Sequence, residues 1–237
     1  MFNRLLMTAI IGLSSFVFKE ESQTIAKQSN SSHKVILVNH SVEDEKLELY
    51  QSIQKNGFSS PNFASFSKAI DGFFILKEKG IIQNPILTIV DFDLPSTQKR
   101  LWVIDMTKNE ILFHSLVAHG KNSGDLNAAD FSNENESYKS SLGFYITNET
   151  YTGTHGLSLR LDGLEKNKND NARNRAIVIH GADYVSTSFI KMHQRLGRSF
   201  GCPALPLELT EKIVNTIKNK SCLYIHHRSN TSINIAI

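Results

Sequence analysis

Apolar residues recur at two spacings along the chain and divide it into a helical beginning and a longer strand-rich part. Over residues 43–80 they stand three or four positions apart, which places them on one face of a helix. Ser60 can cap a second helix and Pro61 suits its first turn, and the apolar pattern ends at Gly80. The predicted apolar face of this second helix consists of Phe63, Phe66, Ile70, Phe73 and Phe74.

From residue 86 onward, short apolar runs alternate with polar turns, as they do in β-strands. The predicted strands are 87–92, 101–106, 111–117, 143–147, 157–161, 176–180 and 222–225. Two later segments have helical spacing, one capped by Ser186 or Thr187 and one over residues 206–220. The polar segment 121–141 has neither pattern, and a loop of that length inside a compact domain is usually functional or mobile.

Residues 1–18 have the composition of a targeting segment. Arg4 supplies a short basic region, and the apolar stretch that follows is too short for a comfortable membrane span. We expect a signal peptide here, with an uncleaved anchor as the alternative, and a polar linker over 19–42. The protein is then exported to the periplasm or cell envelope and keeps no stable membrane span after cleavage. A single domain over 43–237 follows, with residues 43–80 as its helical lead-in.

The charge of the chain is mildly basic and evenly spread. The formal net charge is +3, and 40% of the residues are hydrophobic and 21% charged, which is ordinary for a globular protein. Because the lysines and arginines form no basic tract interleaved with aromatic residues, we expect no nucleic-acid binding. A weakly basic surface suits an anionic polymer such as a cell wall.

The most informative chemistry lies around Cys202, which follows Gly201 in a loop rich in glycine and arginine. A thiol with an ordinary pKa of about 8.5 needs a base or a positive environment to become a nucleophile. His180 ends an apolar run 22 residues upstream and is the candidate base. Arg195 and Arg198 are the candidate positive charges, and they can equally bind substrate carboxylates or form salt bridges. The pattern predicts a Cys-His enzyme.

The second cysteine, Cys222, has a different setting. It opens a run of apolar residues with the composition of a buried strand, whereas Cys202 lies in a loop flanked by glycine and proline. A disulfide between the two would remove the nucleophile. We therefore favour two free thiols, with Cys222 as a small core residue.

Other histidines offer an alternative to thiol catalysis. His119 and His155 each precede a glycine, so each either lines the cleft or has a structural role where the backbone packs closely. Together with His180 and Cys202 they could form a zinc site. Zinc ligands usually include a close pair such as His-x-x-x-His or Cys-x-x-Cys, and the chain has neither. We expect no metal and no other cofactor.

An ordered set of motifs runs along the chain: His119–Gly124, Ser141–Tyr145, His155-Gly156, Val178–Gly181 and Gly197–Pro203. This set resembles the murein L,D-transpeptidase catalytic-domain family, a divergent branch of the YkuD-type L,D-transpeptidases. The resemblance covers roughly residues 58–227. It implies an α+β, β-rich domain, a mixed β-sandwich or barrel-like fold with N-terminal helices and flanking short helices.

The commoner branch of that family has a histidine, a gap, and then Ser/Thr-His-Gly-Cys. The residues that match this motif are His180, Ser199, Gly201 and Cys202. The resemblance implies Cys202 as the nucleophile and His180 as the base, with the backbone at Ser199, Gly201 and Gly181 forming the oxyanion region. Phe200 replaces the second histidine of the motif, and Pro203 follows the cysteine.

The resemblance also implies the substrate, the stem peptides of peptidoglycan. We expect the protein to be a monomer. Cys202 would form a thioester with a stem peptide, and the amine of a second stem peptide would resolve it into a cross-link or an attachment. Water as the acceptor would make the protein a murein L,D-carboxypeptidase or endopeptidase. The alternative from another class is a non-catalytic wall-binding module, which would leave the setting of Cys202 without a purpose.

Overall fold

The computed structural model describes residues 41–235, so the predicted targeting segment 1–18 and the linker up to residue 40 lie outside the described residues. Within this range the helices are α1 Val42–Ser52, α2 Phe63–Glu78, α3 Thr187–His193 and α4 Leu207–Ile217. The strands are β1 Ile86–Asp91, β2 Leu101–Asp105, β3 Glu110–Ser115, β4 Gly143–Gly153, β5 Gly156–Gly163, β6 Val178–Ala182, β7 Ala204–Pro206 and β8 Cys222–His226. None of the helices in 41–235 is both long and apolar enough to cross a membrane.

Helix α2 begins two residues later than the sequence predicted. The N-cap is Asn62, whose side-chain oxygen accepts a hydrogen bond from the Ala64 amide at 2.8 Å, so Ser60 and Pro61 precede the helix. An asparagine at this position satisfies an amide that has no partner within the first turn. The prediction was also wrong in assigning Phe74 to the apolar face, because Phe74 is exposed whereas its neighbour Phe73 is buried.

All eight strands belong to one sheet, in the order β3-β2-β1-β8-β4-β5-β6-β7. Neighbours pair antiparallel except β1 with β8 and β6 with β7, which are parallel. The Ala118 amide, just beyond β3, donates to the Ala204 carbonyl of β7 at 2.9 Å and links the two ends of the sheet. The sheet is therefore nearly closed and barrel-like, and the expected β-rich fold with flanking short helices is confirmed.

The sheet has an apolar core on each face. Along β1, Leu87 and Ile89 pack in the cluster that contains α2, whereas Val90 packs in the cluster that contains α4. Both faces of the central strands are thus covered, and every residue of β1 is buried, including Thr88 and Asp91. Cys222 lies fully buried in the α2 cluster, and both cysteines are free, as expected.

The packing of α2 on the sheet depends on a glycine. A Cβ built on Gly72 would overlap the ring of Phe144, which is stacked on Tyr224 in the same core. We expect Gly72→Ala to lower the free energy of unfolding by about 1–3 kcal/mol through overpacking, although alanine favours helices. Lys77→Ala, at an exposed position of the same helix, is the control and should change stability little. Chemical denaturation measures both, and a Gly72→Ala protein at least as stable as wild type would contradict this packing.

Candidate active site

Cys202 lies in the loop between α3 and β7, and its position is fixed by Ser199. The Ser199 hydroxyl accepts a hydrogen bond from the Gly201 amide at 3.0 Å and donates one to the Cys202 carbonyl at 2.6 Å. Gly201 has φ +124°, and a Cβ there would lie 2.8 Å from the Lys139 carbonyl oxygen. The position before the cysteine therefore requires glycine.

The pairing of β6 with β7 decides what surrounds the thiol. His180 is aligned with Ala204, so Cys202, two residues earlier, lies beside Val178. The Val178 amide donates to the Cys202 Sγ at 3.4 Å, and the thiol in turn points to the Ala176 carbonyl at 3.7 Å. Burial raises the pKa of the thiol above its ordinary value, with the Val178 amide and the charge of Arg175 opposing this shift. At neutral pH the free thiol therefore needs a base.

His180 has the protonation state that a base requires. Its Nδ1 lies 3.0 Å from the Gly181 carbonyl, which can only accept a hydrogen bond, so Nδ1 carries the proton and Nε2 is free to take one. The side chain is almost fully buried. Burial lowers its pKa below 6.5, the Gly181 bond opposes this shift, and the charge of His155 adds to it. His180 is thus neutral at neutral pH.

Cys202 and His180 line the same cavity, which has a volume of about 410 Å³. The other lining residues are Tyr151, His155, Arg175, Ala176, Val178, Tyr184, Arg198, Ser199 and Phe200. The whole lining, with His180 included, contains two arginines and two histidines, and it contains no carboxylate from residues 41–235. The cavity is therefore electropositive and suits a substrate that carries carboxylates.

Comparison with known proteins assigns the domain to a family. A family model described as L,D-transpeptidase catalytic domain matches residues 58–226. The chain belongs to this L,D-transpeptidase family. The boundaries agree with the resemblance seen in the sequence motifs.

The solved structures that match this chain are distant from it in sequence. An L,D-transpeptidase from Mycobacterium smegmatis is 10% identical with a TM-score of 0.39, and the match covers 60% of this chain and 59% of that one. An L,D-transpeptidase from Stackebrandtia nassauensis is 12% identical with a TM-score of 0.37, covering 61% and 57%. The chain thus spans less than two thirds of each of these structures. No curated protein matches the chain.

The L,D-transpeptidase domain brings some of the predicted site residues together and excludes others. His155, Arg198 and Ser199 line the cavity with Cys202 and His180, whereas His119 and Arg195 do not. His119 is buried, accepts a hydrogen bond from the Arg100 guanidinium at 2.8 Å on Nδ1, and lies 3.2 Å from the Gly124 carbonyl on Nε2. Its role is structural, because fully buried Arg100 needs acceptors for its donors.

The charge beside the thiol also comes from a different residue than expected. Arg198 pairs with Asp125, and the Nε of Arg195 lies 3.9 Å from the same carboxylate. These two arginines were the expected source of thiolate stabilisation, but the charge that lowers the pKa of the Cys202 thiol is that of Arg175.

Arg175 is held by the long polar loop. Its guanidinium donates to the carbonyls of Ser132 and Lys139, each at 2.7 Å, and to the hydroxyls of Ser137 and Ser141 at 3.2 and 3.0 Å. Arg175 cannot be recognised from the sequence, because it lies among other polar residues just before β6, with no motif around it. The loop 121–141 therefore holds the positively charged Arg175 guanidinium in place at the cavity.

Two of the backbone amides predicted to form the oxyanion region already donate hydrogen bonds within the protein. The Ser199 amide donates to the His119 carbonyl at 3.0 Å, and the Gly201 amide donates to the Ser199 hydroxyl. Gly181 lies within the sheet and packs against Thr210 of α4 rather than on the cavity. These positions shape the loop, whereas the Cys202 amide, like that of Phe200, donates to no atom of residues 41–235.

Of the four residues considered for a zinc site, His119 lies outside the cavity that His155, His180 and Cys202 line. Within 41–235, the three metal-ligating side chains that do meet are Asp91, Asp93 and His226, with ligand atoms within 4.8 Å of one another. They lie at the paired ends of β1 and β8, away from the cavity lining. Asp93 accepts two hydrogen bonds from Arg228, so an ion-pair network accounts for this cluster.

The buried His119 should make stability depend on pH. Burial, reinforced by the charge of Arg100, lowers its pKa to about 4. A histidine whose pKa is lower in the folded protein contributes stability that is complete above about pH 6.5 and is lost as the pH falls through 4. We expect His119→Gln to be less stable than wild type at pH 7 and to lose less stability between pH 7 and pH 5. Urea unfolding at both pH values tests this, and parallel losses in the two proteins would contradict the assignment.

Removing the Arg175 charge should make the Cys202 thiol less acidic. We expect Arg175→Gln to raise the thiol pKa and to slow alkylation of Cys202 by iodoacetamide at pH 7 by about two- to tenfold, since the thiolate is the reactive form. Arg195→Gln is the matched control and should alkylate like wild type. The rates are measured by intact-mass spectrometry over pH, with circular dichroism to verify folding. Faster alkylation of Arg175→Gln would refute the role.

Proposed function

We propose that this protein is an exported, monomeric cysteine L,D-transpeptidase that acts on peptidoglycan stem peptides through a Cys202 thioester. The observation that carries the proposal is that the Cys202 thiol and the neutral His180 ring line one electropositive cavity. Membership in the L,D-transpeptidase catalytic-domain family supports the substrate class. The targeting composition of residues 1–18 supports export to the periplasm or cell envelope.

The first half of the reaction forms the acyl-enzyme. His180 Nε2 takes the proton from the Cys202 thiol as Sγ attacks the carbonyl carbon of the stem-peptide bond, leaving an oxyanion that the Cys202 amide can bind. The intermediate collapses, the C–N bond breaks, and the departing amine takes the proton from His180. The products are a Cys202 thioester and a free terminal D-amino acid.

The second half regenerates the enzyme. The amine of a second stem peptide attacks the thioester carbon, and His180 removes the amine proton and returns it to the departing Sγ. A new amide bond forms as the C–S bond breaks, so atoms and charge balance without a cofactor. Water in place of the amine would give a carboxypeptidase or endopeptidase, which is the alternative outcome for the same site.

The charges of the cavity suit this substrate. Stem peptides carry carboxylates, and Arg175 and Arg198 are the cations that line the cavity. Arg175 is held rigidly by four hydrogen bonds, so it provides a preorganised charge near Sγ. Arg198 is already paired with Asp125 and offers a weaker site. We therefore assign the reacting peptide to the Arg175 side of the cavity.

The test is conversion of purified muropeptides, followed by mass spectrometry. Cys202→Ala should abolish conversion, and His180→Ala should reduce it by about 10²- to 10⁴-fold because a general base is lost. Cys222→Ala is the matched control, since this second thiol is buried in the α2 core away from the cavity. A cross-linked product supports the transpeptidase, whereas a shortened peptide alone supports the hydrolytic alternative.

Two results would contradict the proposal. Conversion by Cys202→Ala at the wild-type rate would remove the thioester mechanism. If the folded wild-type protein binds peptidoglycan and converts no muropeptide, the wall-binding module becomes the better description. Intact-mass detection of an acyl adduct on wild type but not on Cys202→Ala would support the covalent step directly.

A further inference from the structure

A second imidazole covers the base. The ring of His155 stacks on the ring of His180, with centroids 4.5 Å apart and an angle of 28° between the ring planes. His155 lies in the tight turn between β4 and β5, where Gly153 is aligned with Gly156, and its side chain reaches from the exposed hairpin into the cavity wall. The stack closes off one face of an otherwise buried ring.

His180 has little else to hold its ring in place. Its one hydrogen bond is the contact of Nδ1 with the carbonyl of Gly181, and no carboxylate or amide side chain of residues 41–235 bonds to it. Its partners along the sheet are Ser158 of β5 and Ala204 of β7, which are small and do not clamp the ring. A base in a Cys-His pair is usually oriented by a third group.

We propose that His155 is a positioning residue that holds the His180 ring by stacking, with Nε2 directed into the cavity. This inference rests on the proposed function, in which His180 is the base. The stack supplies the restraint that the single Gly181 bond lacks, because it prevents the ring from tilting out of its plane. It also excludes water from the outer face of the base.

His155 also affects when His180 is neutral. After burial, the charge of His155 further lowers the pKa of His180. The titratable or charged groups that line the cavity with His180 are Tyr151, His155, Arg175, Tyr184, Arg198 and Cys202. From α4, the side chains against the neighbouring Gly181 are Leu207 and Thr210, which do not titrate. His155 is therefore the group whose removal should change the titration of His180 most directly.

Two substitutions separate the ring from its charge. His155→Phe keeps an aromatic ring for the stack and removes the charge, whereas His155→Ala removes both and exposes His180 to water. Thr154→Ala is the matched control, because this residue belongs to the same turn and does not line the cavity. All variants are made in the full chain.

The first measurement is an NMR titration of the His180 ring, assigned by comparison with His180→Ala. We expect the pKa of His180 to rise in His155→Phe, because a neighbouring positive charge is lost, and to rise further in His155→Ala, because burial is lost as well. Thr154→Ala should titrate like wild type. This measurement uses no peptidoglycan, so it tests the contact even if the proposed activity fails.

The second measurement is muropeptide turnover over pH. We expect His155→Phe to keep its maximal kcat within about twofold of wild type, with its acid limb moved to higher pH. His155→Ala should lose about 10- to 100-fold in kcat with little change in KM, because a misplaced base slows the chemical step. If wild type itself turns over no muropeptide while the NMR shifts occur, the proposed function fails and the positioning contact stands.

Other outcomes overturn the inference. If the pKa of His180 and the kcat in His155→Ala both equal the wild-type values, the stack does not position the base. If His155→Phe loses as much kcat as His155→Ala, the imidazole itself is needed and the ring stack is not the reason. A rise in KM alone, in either variant, would make His155 a substrate contact instead of a positioning residue.

Discussion

The parallel pairing of β6 with the short strand β7 is the constraint on which the site depends. This pairing aligns His180 with Ala204 and so places Cys202 beside Val178, where an amide donates to the sulfur. The candidate base lies on β6 and the candidate nucleophile lies in the loop just before β7, yet their relative position is set by backbone hydrogen bonds of the sheet. Strands hold such a geometry more rigidly than two loops would.

The loop before the cysteine adds a second level of order. Ser199 closes the turn on both sides of Gly201, and Ser140 donates to the Gly201 carbonyl at 3.1 Å from the long polar loop. Serines and asparagines in that loop bond to the backbone around them and leave little freedom at the site. Segment 121–141 is therefore polar because its side chains replace the hydrogen bonds that a helix or strand would provide.

Two arginines show how differently the same side chain can be used. Arg100 is fully buried, and its guanidinium donates hydrogen bonds to backbone carbonyls and to His119. Its role is therefore to stabilise the core. The Arg175 guanidinium also donates to carbonyls and hydroxyls, but its charge in addition lowers the pKa of the Cys202 thiol. Because Arg195 and Arg198 are engaged with Asp125, closeness in sequence to the cysteine did not identify the cation that acts on it.

The sequence alone determined the helices and strands whose apolar residues recur regularly, and it identified Cys202 and His180 as candidate site residues. Spacing and residue type predicted the hairpin of β2 and β3, the start of α3 at Ser186 or Thr187, the buried strand at Cys222, and Cys202 with His180 as candidates. Only the tertiary structure decided the rest. Strand β7 has three residues and carries no periodicity, and Arg175 and the stack of His155 on His180 arise from segments far apart in the chain. Long-range contacts of this kind leave no local pattern, because side chains that meet across a sheet are set by strand register and not by their neighbours in sequence.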